Sequence, residues 1–293
     1  MKLGIYGKLL DAKDIDTIAY LFSLLPGAEM TWCIEKKYYE KIKGSIYLGQ
    51  AETFINSTEL KACEVNLLLC LGGDGTLLEA LDFVKKTSIP VIGINLGRLG
   101  FLSQVSKHAI PEALYSLQNG HFRLEKRSVL ELKSENDLFK PFNYALNDFT
   151  IHKRDTGSMI SIDTYLNGDY FNTYWADGII VSTPTGSTAY SLSCGGPIIF
   201  PDSNNFVITA VAPHNLNIRP IIVSDNTVIS FRVKGRGANH LVSLDARYEI
   251  IEHIKEIAIQ KADFLLNLIK LNNQNFINTL RDKLKWGLDP RNL

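Results

Sequence analysis

The chain has 293 residues, of which 45% are hydrophobic and 21% are charged, fractions that are typical of a globular protein with one large or two ordinary domains. Lysine plus arginine and aspartate plus glutamate each total 31, and this zero formal net charge argues against a non-specific nucleic-acid binder. No apolar stretch is long enough to span a membrane, and residues 1–7 have the pattern of a short strand rather than a signal peptide.

The four cysteines, Cys33, Cys63, Cys70 and Cys194, show no CxxC spacing. This pattern predicts reduced thiols rather than a zinc site or a disulfide framework. We therefore expect a cytoplasmic protein that has neither a membrane nor a nucleic acid as a partner.

The first hundred residues alternate between strand and helix patterns. Strands are predicted at 3–6, 29–34, 66–70 and 90–95, and helices at 14–25, where Asp14 is placed to cap, and at 76–86. Such alternation predicts a parallel sheet with helices on both faces. We therefore predict a Rossmann-like α/β domain over residues 1–123, in which ligands bind beyond the carboxyl ends of the strands.

A glycine-rich loop, Gly72-Gly73-Asp74-Gly75, directly follows one of these strands. Glycine lets a ligand approach the main chain, and backbone amides at the start of the following helix favour phosphate. An aspartate in that setting repels phosphate, so Asp74 is better explained by a proton taken from a hydroxyl or by a bound cation. The loop Asn95–Gly100 follows the next strand and is expected at the same edge of the sheet.

After about residue 123 the pattern changes to strands with little helix. Period-two alternation occurs at 128–133, 160–166, 228–233 and 257–260, and Asn167-Gly168 is typical of a hairpin turn. These features predict an antiparallel, β-rich and sandwich-like domain over residues 124–269. Helical spacing returns at 276–285, and we predict that residues 270–293 pack back on the first domain.

A second cluster of small polar residues spans 176–197. Asp177 precedes a predicted strand, and every residue of 182–188 except Pro184 is glycine or carries a small hydroxyl. Hydroxyls and free amides donate to phosphate or ribose oxygens, Tyr190 could stack on a ring, and Asp177 could accept from a ribose hydroxyl or an amide. A solvent-exposed loop is the alternative explanation for this segment taken alone, but two such segments in different domains favour a shared cleft.

Two further pairs are candidates for that cleft. Asn147-Asp148 and Pro213-His214 each follow an apolar run, although the first pair is typical of a turn and a single histidine is more often structural. Nucleophilic catalysis is disfavoured, because Ser187 is not part of a G-x-S-x-G sequence. There is no Walker A sequence and no G-x-G-x-x-G after the first strand, so any phosphate is bound by a different loop.

Together these motifs resemble those of NAD kinases that use ATP or polyphosphate. The resemblance covers most of the chain and is carried by 72–76, 95–102, Asn147-Asp148, Asp177-Gly178, 183–191, 195–197, Pro213-His214 and Arg219-Pro220, with a looser fit over 276–286. Diacylglycerol kinases, sphingosine kinases and phosphofructokinases share the Gly-Gly-Asp-Gly loop. The Thr-Pro-Thr-Gly-Ser-Thr-Ala-Tyr run is far more specific.

The resemblance implies transfer of the γ-phosphate of ATP to the 2′-hydroxyl of the adenosine ribose of NAD, giving NADP and ADP. It implies that Asp74 is the general base and that Mg²⁺ binds the ATP phosphates, without assigning a protein ligand to the metal. It implies that Gly73 and Gly75 bind phosphate and that Asn147 and Asp148 bind the adenosine part. It implies that Asp177 and Thr188–Ser193 bind the nicotinamide side. The full set of implied binding residues in and around the second cluster is Thr185, Ser187, Thr188, Ala189, Tyr190, Ser191, Ser193, His214 and Arg247. It also implies an α/β domain, a β-rich domain with NAD between the two, and a homodimer or homotetramer.

The chain departs from the family pattern in two places. The family commonly has Asn-Glu where this chain has Asn147-Asp148. Because aspartate is shorter than glutamate, we expect its contact with a ribose to be longer or to be mediated by a water molecule. The family often has Asp-Gly-Gln where this chain has Asp245-Ala246-Arg247. Arg247 then either contacts phosphate or lies on the surface.

One alternative is a second kind of enzyme, and another is a protein that binds without catalysis. A lipid kinase would share the glycine loop, but the 176–197 segment is more polar than a lipid-tail pocket needs. A catalytically silent dinucleotide-binding module would share the small-residue segments, but it gains nothing from Asp74. The choice between ATP and polyphosphate, and between NAD and NADH, stays open.

Overall fold

The computed structural model describes residues 1–8, 11–154, 159–234, 239–252, 256–272 and 274–286. The chain divides into two compact units. We call Met1–Lys126 with Leu266–Leu293 the α/β unit, and Arg127–Leu265 the β unit. Within these described ranges, none of the helices has the length and apolar character that crossing a bilayer requires.

The strands and helices are numbered in chain order. The strands are β1 (Lys2–Gly7), β2 (Thr31–Glu35), β3 (Glu52–Phe54), β4 (Leu67–Leu71), β5 (Val91–Asn95), β6 (Val105–Ser106), β7 (Phe122–Arg127), β8 (Leu130–Ser134), β9 (Tyr144–Ala145), β10 (Asp148–Lys153), β11 (Ile160–Leu166), β12 (Asp169–Ala176), β13 (Gly178–Ser182), β14 (Asn205–Val211), β15 (Ile221–Ser224), β16 (Ile229–Lys234), β17 (Asn239–Leu244), β18 (Arg247–Glu252), β19 (Ile257–Lys261) and β20 (Leu266–Leu271). The helices are α1 (Asp14–Leu24), α2 (Lys36–Ile42), α3 (Ser57–Ala62), α4 (Asp74–Val84), α5 (Ile110–Gln118), α6 (Tyr190–Ser193) and α7 (Phe276–Leu284).

One sheet forms the centre of the α/β unit, with strand order β3-β2-β1-β4-β5-β20-β7 and with β6 paired to β5. The pairs β1–β2, β1–β4, β2–β3 and β4–β5 are parallel. All five residues of β4 are buried, which is the near-continuous apolar pattern expected of a central parallel strand covered on both faces. The predicted Rossmann-like domain is confirmed.

The start of two helices differs from the sequence-based prediction. Lys13, not Asp14, is the N-cap residue of α1, and it makes no capping hydrogen bond through its side chain. The Asp14 carboxylate instead accepts a hydrogen bond of 2.9 Å from the backbone N–H of Asp11, because the preceding turn folds back over the helix start. Helix α4 begins at Asp74, two residues earlier than predicted, so this carboxylate lies in the first helical turn.

The β unit contains two antiparallel sheets, with strand orders β15-β14-β13-β10-β17-β18 and β12-β11-β16-β19-β8-β9. Side chains of both sheets form one core, in which the rings of Phe149 and Phe231 stack with centroids 5.9 Å apart. The sandwich-like prediction is therefore confirmed. Asn167 and Gly168 both have positive φ and link β11 to β12, as the hairpin pattern predicted.

The C-terminal segment belongs to the α/β unit, as predicted. Strand β20 pairs in parallel with β5, with Leu268 opposite Val91. Helix α7 contacts the same unit through Thr279, whose hydroxyl accepts a hydrogen bond of 2.9 Å from the Gln104 amide.

Candidate functional site

The glycine loop leaves β4 at the carboxyl end of the sheet and opens helix α4. Gly72 has a φ of 149° and its N–H donates to Ile94 of the neighbouring strand, so the loop is held against β5. A side chain at Gly72 would overlap Thr76. Gly73 and Gly75 differ, because the positions where their Cβ atoms would lie have no heavy atom within 4 Å. These two glycines therefore present open backbone to a ligand at a helix N-terminus.

The Asp74 carboxylate accepts three backbone hydrogen bonds from the loop that follows β5. Oδ2 accepts from Phe101 at 2.8 Å, and Oδ1 accepts from Leu102 at 3.1 Å and from Ser103 at 2.8 Å. A Cβ atom on Gly100 would overlap this carboxylate. The two motifs that the sequence placed at one edge of the sheet are thus joined directly through Asp74.

Two buried polar residues support this arrangement. Ser103 is fully buried, and its hydroxyl donates to the carbonyl oxygen of Gly72 at 3.1 Å. The Asn95 side chain accepts from the N–H of Gly97 at 2.9 Å and donates to the Ser103 carbonyl at 3.4 Å. Sequence reasoning missed Ser103, and the available signal was a small polar residue directly after the glycine-containing 95–102 motif.

In the β unit, Asp245 organises the Asn147 segment. Its carboxylate accepts from the backbone N–H groups of Leu146 at 2.9 Å, Asn147 at 2.8 Å and Asp148 at 3.2 Å. Its own N–H donates to the Asp148 carbonyl at 2.9 Å. Asp245 has a φ of 52° and stands in the turn between β17 and β18, so a tight hairpin turn holds the start of β10.

The side chains of Asn147 and Asp148 remain available to a ligand. Across the described ranges, neither side chain makes a hydrogen bond to another residue, and Asp148 is only 6% exposed. Burial, with the nearby charge of Asp245, raises the pKa of Asp148 to about 7. A buried acid of this kind gains most from a partner that donates hydrogen bonds to it.

The Thr-Pro-Thr-Gly segment packs directly on Asn147. The Thr183 hydroxyl donates to the Leu146 carbonyl at 2.6 Å, and the Thr183 N–H donates to the Asn147 carbonyl at 2.9 Å. A side chain at Gly186 would overlap the Asn147 backbone. Two segments separated by more than thirty residues therefore form one site in the β unit.

Two of the predicted hydroxyl groups point into the protein instead of toward a ligand. The Ser187 hydroxyl donates to the Pro184 carbonyl at 2.7 Å and accepts from Ile199 at 3.0 Å. The Ser191 hydroxyl shares a hydrogen bond of 2.9 Å with Thr209 on β14. Both serines are fully buried, so their hydroxyls shape the segment and do not supply the ligand donors that the sequence suggested.

The accessible part of the segment begins after Ser187. Thr188 and Ala189 are half-buried, whereas Tyr190 and Ser193 are exposed. Thr185 is buried, and its hydroxyl accepts from the guanidinium of Arg127 at 3.4 Å. Arg127 is itself buried and was missed by sequence reasoning, because a lone Lys-Arg pair is typical of a solvated surface.

Comparison with known proteins decides the family. The family model of the ATP-NAD kinase N-terminal domain matches residues 32–122, and that of the ATP-NAD kinase C-terminal domain matches residues 146–271. An NAD kinase of Cytophaga hutchinsonii is 42% identical over 294 residues, covering 100% of both chains. One of Bacteroides fragilis is also 42% identical over 294 residues, covering 99% of this chain and 100% of the relative. This chain belongs to the NAD kinase family.

Solved structures share the fold. Yeast NADH kinase complexed with NADH superposes with a TM-score of 0.85 at 22% identity, covering 98% of this chain and 88% of the other. An NAD kinase from Archaeoglobus fulgidus in complex with ATP gives a TM-score of 0.72 at 24% identity, covering 97% and 99%. The α/β sheet and the β-rich unit are therefore arrangements that family members share.

Arg247 has a role that neither sequence-based alternative described. Its guanidinium donates to the carbonyl oxygens of Phe142 and Tyr144, and it lies 4.4 Å from the centroid of the Phe142 ring. The charge is thus engaged with the chain's own backbone and an aromatic face, and it stabilises the segment before Asn147.

Asp177 and His214 occupy separate positions. The Asp177 carboxylate is half-buried and forms an ion pair of 2.6 Å with Lys153. The negative charge at Asp177 is therefore already balanced by a lysine before any ligand binds. His214 is exposed, and its backbone N–H donates to the Trp175 carbonyl at 2.8 Å. Among the residues that the structure describes, no hydrogen bond connects the His214 side chain with the other predicted site residues.

No group of three or more His, Cys, Asp or Glu side chains in the described parts of the chain is arranged to hold an ion. Asp74 is the acid of the glycine loop, and three N–H groups already occupy most of its acceptor positions. Mg²⁺ commonly binds through substrate phosphates with few protein ligands.

Proposed function

We propose that this chain transfers the γ-phosphate of ATP to the 2′-hydroxyl of the adenosine ribose of NAD, giving NADP and ADP. The observation that carries the proposal is the Asp74 carboxylate, which is fixed by Phe101, Leu102 and Ser103 beside open glycines at a helix N-terminus. The full-length similarity to curated NAD kinases supports the same reaction.

In this mechanism the ribose oxygen forms a bond to the γ-phosphorus while the bond from that phosphorus to the β-phosphate oxygen breaks. Asp74 accepts the hydroxyl proton at its remaining acceptor position and orients the oxygen for attack. Phosphoryl transfer depends chiefly on positioning and charge neutralisation, so a rigidly held carboxylate suits the reaction. Gly73 and Gly75 would donate backbone amides to donor phosphate, and Mg²⁺ bound to ATP would neutralise phosphate charge.

The β unit would supply the NAD contacts. The Asn147 carboxamide and the Asp148 carboxylate would bind the adenosine part, because both lack hydrogen bonds to the described residues and a ribose offers donors to both. Asp177, Thr188, Ala189 and Tyr190 would bind the nicotinamide side. The short Asp148 side chain would contact the ribose directly or through one water.

Three further features are part of the proposal. The enzyme would act in the cytoplasm, would need Mg²⁺, and would form a homodimer or homotetramer. Size-exclusion chromatography with light scattering tests the assembly, and a metal titration after chelation tests the requirement for Mg²⁺.

The central experiment is NADP formation from NAD, ATP and Mg²⁺ by the purified protein. We expect Asp74→Asn to lower turnover by about 100-fold or more while NAD still binds, because the amide can neither accept the proton nor accept all three N–H groups. Asp82→Asn is the matched control, since Asp82 is an exposed acid on the same helix and pairs with Lys85.

The alternatives have distinct results. Full activity of Asp74→Asn would remove Asp74 as the base. Phosphate transfer to diacylglycerol or sphingosine in place of NAD would favour a lipid kinase, and calorimetric binding of NAD without turnover would favour a silent binding module. A panel of ATP and polyphosphate against NAD and NADH identifies the donor and the acceptor.

A further inference from the structure

His152 on β10 contacts Tyr190, although the sequence did not single it out. The Tyr190 hydroxyl and His152 Nε2 share a hydrogen bond of 2.9 Å. The two rings also stack, with centroids 5.7 Å apart and planes 27° from parallel. Tyr190 is 39% exposed on a helix of four residues and its hydroxyl also interacts with Cys194, whereas His152 is the aromatic neighbour that stacks on its ring.

Gly178 provides the space for this contact. It lies directly opposite His152 in the β10–β13 register. A Cβ atom at Gly178 would lie 3.0 Å from His152 Nδ1 and 2.5 Å from the Ile151 carbonyl oxygen. The missing side chain of Gly178 therefore allows the imidazole to lie over β13 and reach Tyr190.

The charges around His152 favour a neutral ring. Burial lowers the pKa of His152, the Lys153 charge acts in the same direction, and Asp177 opposes it. Lys153 and Asp177 are themselves paired at 2.6 Å, which limits the effect of each on the imidazole. A neutral imidazole and a phenol make a hydrogen bond that does not depend on an ionised partner.

We propose that His152 is a positioning residue for NAD, which holds the Tyr190 ring in the orientation that packs against the dinucleotide. The inference rests on the proposed function, because it takes NAD as the ligand of Tyr190. Without His152 the tyrosine side chain would have to be ordered at each binding event, and that ordering weakens affinity. His152 would contact the ligand only through Tyr190, so its effect belongs in NAD binding and not in the phosphoryl-transfer step.

The test uses His152→Phe, Tyr190→Phe and the double variant in the full-length protein. His152→Phe keeps a stacked ring and removes the hydrogen bond. We expect the Kd for NAD from calorimetry and the KM for NAD to rise about fivefold to tenfold in each single variant. In His152→Phe the KM for ATP and the turnover number should stay within about twofold of the wild type, and the thermal unfolding temperature within a few degrees. The double variant should bind NAD no more weakly than either single variant, because both substitutions remove the same hydrogen bond.

His121→Phe is the matched control. His121 pairs with Tyr115 in the α/β unit, with ring centroids 5.9 Å apart, and it is not among the proposed site residues. Should His152→Phe fail to fold, His152→Leu replaces it with the same expected rise in Kd.

An active wild type in which His152→Phe binds NAD unchanged would overturn this inference and leave the proposed function intact. Independent, multiplicative losses in the double variant would overturn it as well. A wild type that binds NAD with the expected His152 dependence but forms no NADP would reject the proposed function alone. A wild type that does not bind NAD would reject both.

Discussion

At the scale of single residues, Asp74 is both an anchor and the acid that the proposed reaction needs. An ionised carboxylate accepts about four hydrogen bonds, and three are taken by Phe101, Leu102 and Ser103. About one acceptor position is left for a substrate hydroxyl. The direction of that position is set by the loop after β5, so the backbone of that loop controls the geometry of the acid.

Gly100 is the most sensitive of those residues. A methyl group there would overlap the Asp74 carboxylate, so Gly100→Ala must displace either the acid or the loop. We expect turnover to fall by about 100-fold, because misplacement of a catalytic group by about 1 Å has effects of that size. Gly97→Ala is the control, since its Cβ would come no closer than 3.9 Å to Asn95 and its neighbours can accept it. Equal activity of the two variants in steady-state assays would show that the loop does not position Asp74.

The raised pKa of Asp148 predicts that the free energy of unfolding depends on pH. Its pKa is about 7 in the folded protein and 3.8 ordinarily, so the folded state binds more protons than the unfolded state between these values. The free energy of unfolding should therefore fall as pH rises from 5 to 7, by about 2–3 kcal/mol at most, and level off above 7. Urea unfolding at several pH values measures this, and Asp148→Asn should reduce the slope, because the pKa of Asp245 is also raised by burial and contributes in the same direction. A wild-type curve that matches the Asp148→Asn curve would contradict a raised pKa.

At the scale of elements, the turn between β17 and β18 holds the start of β10. Three N–H groups of the Leu146–Asp148 segment donate to one side chain, Asp245, and none of these contacts depends on side chains of that segment. The segment can therefore keep its backbone shape while Asn147 and Asp148 direct their side chains elsewhere. Arg247, two residues after Asp245, donates to carbonyl groups that directly precede the Leu146–Asp148 segment. One turn therefore supplies both an acceptor and a donor to this part of the chain.

Asp245→Asn tests this hairpin as a support. The amide group cannot accept hydrogen bonds at its nitrogen, so at least one buried N–H loses its partner, at a cost of about 1–3 kcal/mol. We expect a lower free energy of unfolding and a rise of about tenfold in the KM for NAD, with little change in the KM for ATP. Asp202→Asn, an exposed acid of the same unit, is the control. An unchanged KM for NAD would show that the Asn147 segment keeps its shape without Asp245.

At the scale of the whole molecule, local patterns predicted the strands and helices but not the contacts that build the site. The apolar run of β4 and the period-two segments of β11 and β16 are local signals, and they predict a parallel sheet in the first unit and an antiparallel sheet in the second. The hydrogen bonds of Asp74 and Asp245 join residues 27 to 99 positions apart in the chain, and no periodicity encodes such pairs. Ser187 and Arg247 show the same limit, because hydroxyl and guanidinium groups serve ligands and internal carbonyls equally well.

The order of the two units along the chain predicts which fragments of the protein fold by themselves. The β unit is continuous over Arg127–Leu265, whereas the α/β unit is completed only when β20 inserts between β5 and β7. Five of the six residues of β20 are buried, so a fragment of residues 1–126 leaves an apolar gap inside its sheet. We expect the fragment 127–265 to unfold cooperatively in urea and the fragment 1–126 to show no cooperative transition. Joining residues 266–286 to the fragment 1–126 through a flexible linker should restore cooperative unfolding, because it supplies β20 and α7. A cooperative transition of the fragment 1–126 by itself would mean that β1 to β5 and their helices already form a stable core without the returning strand.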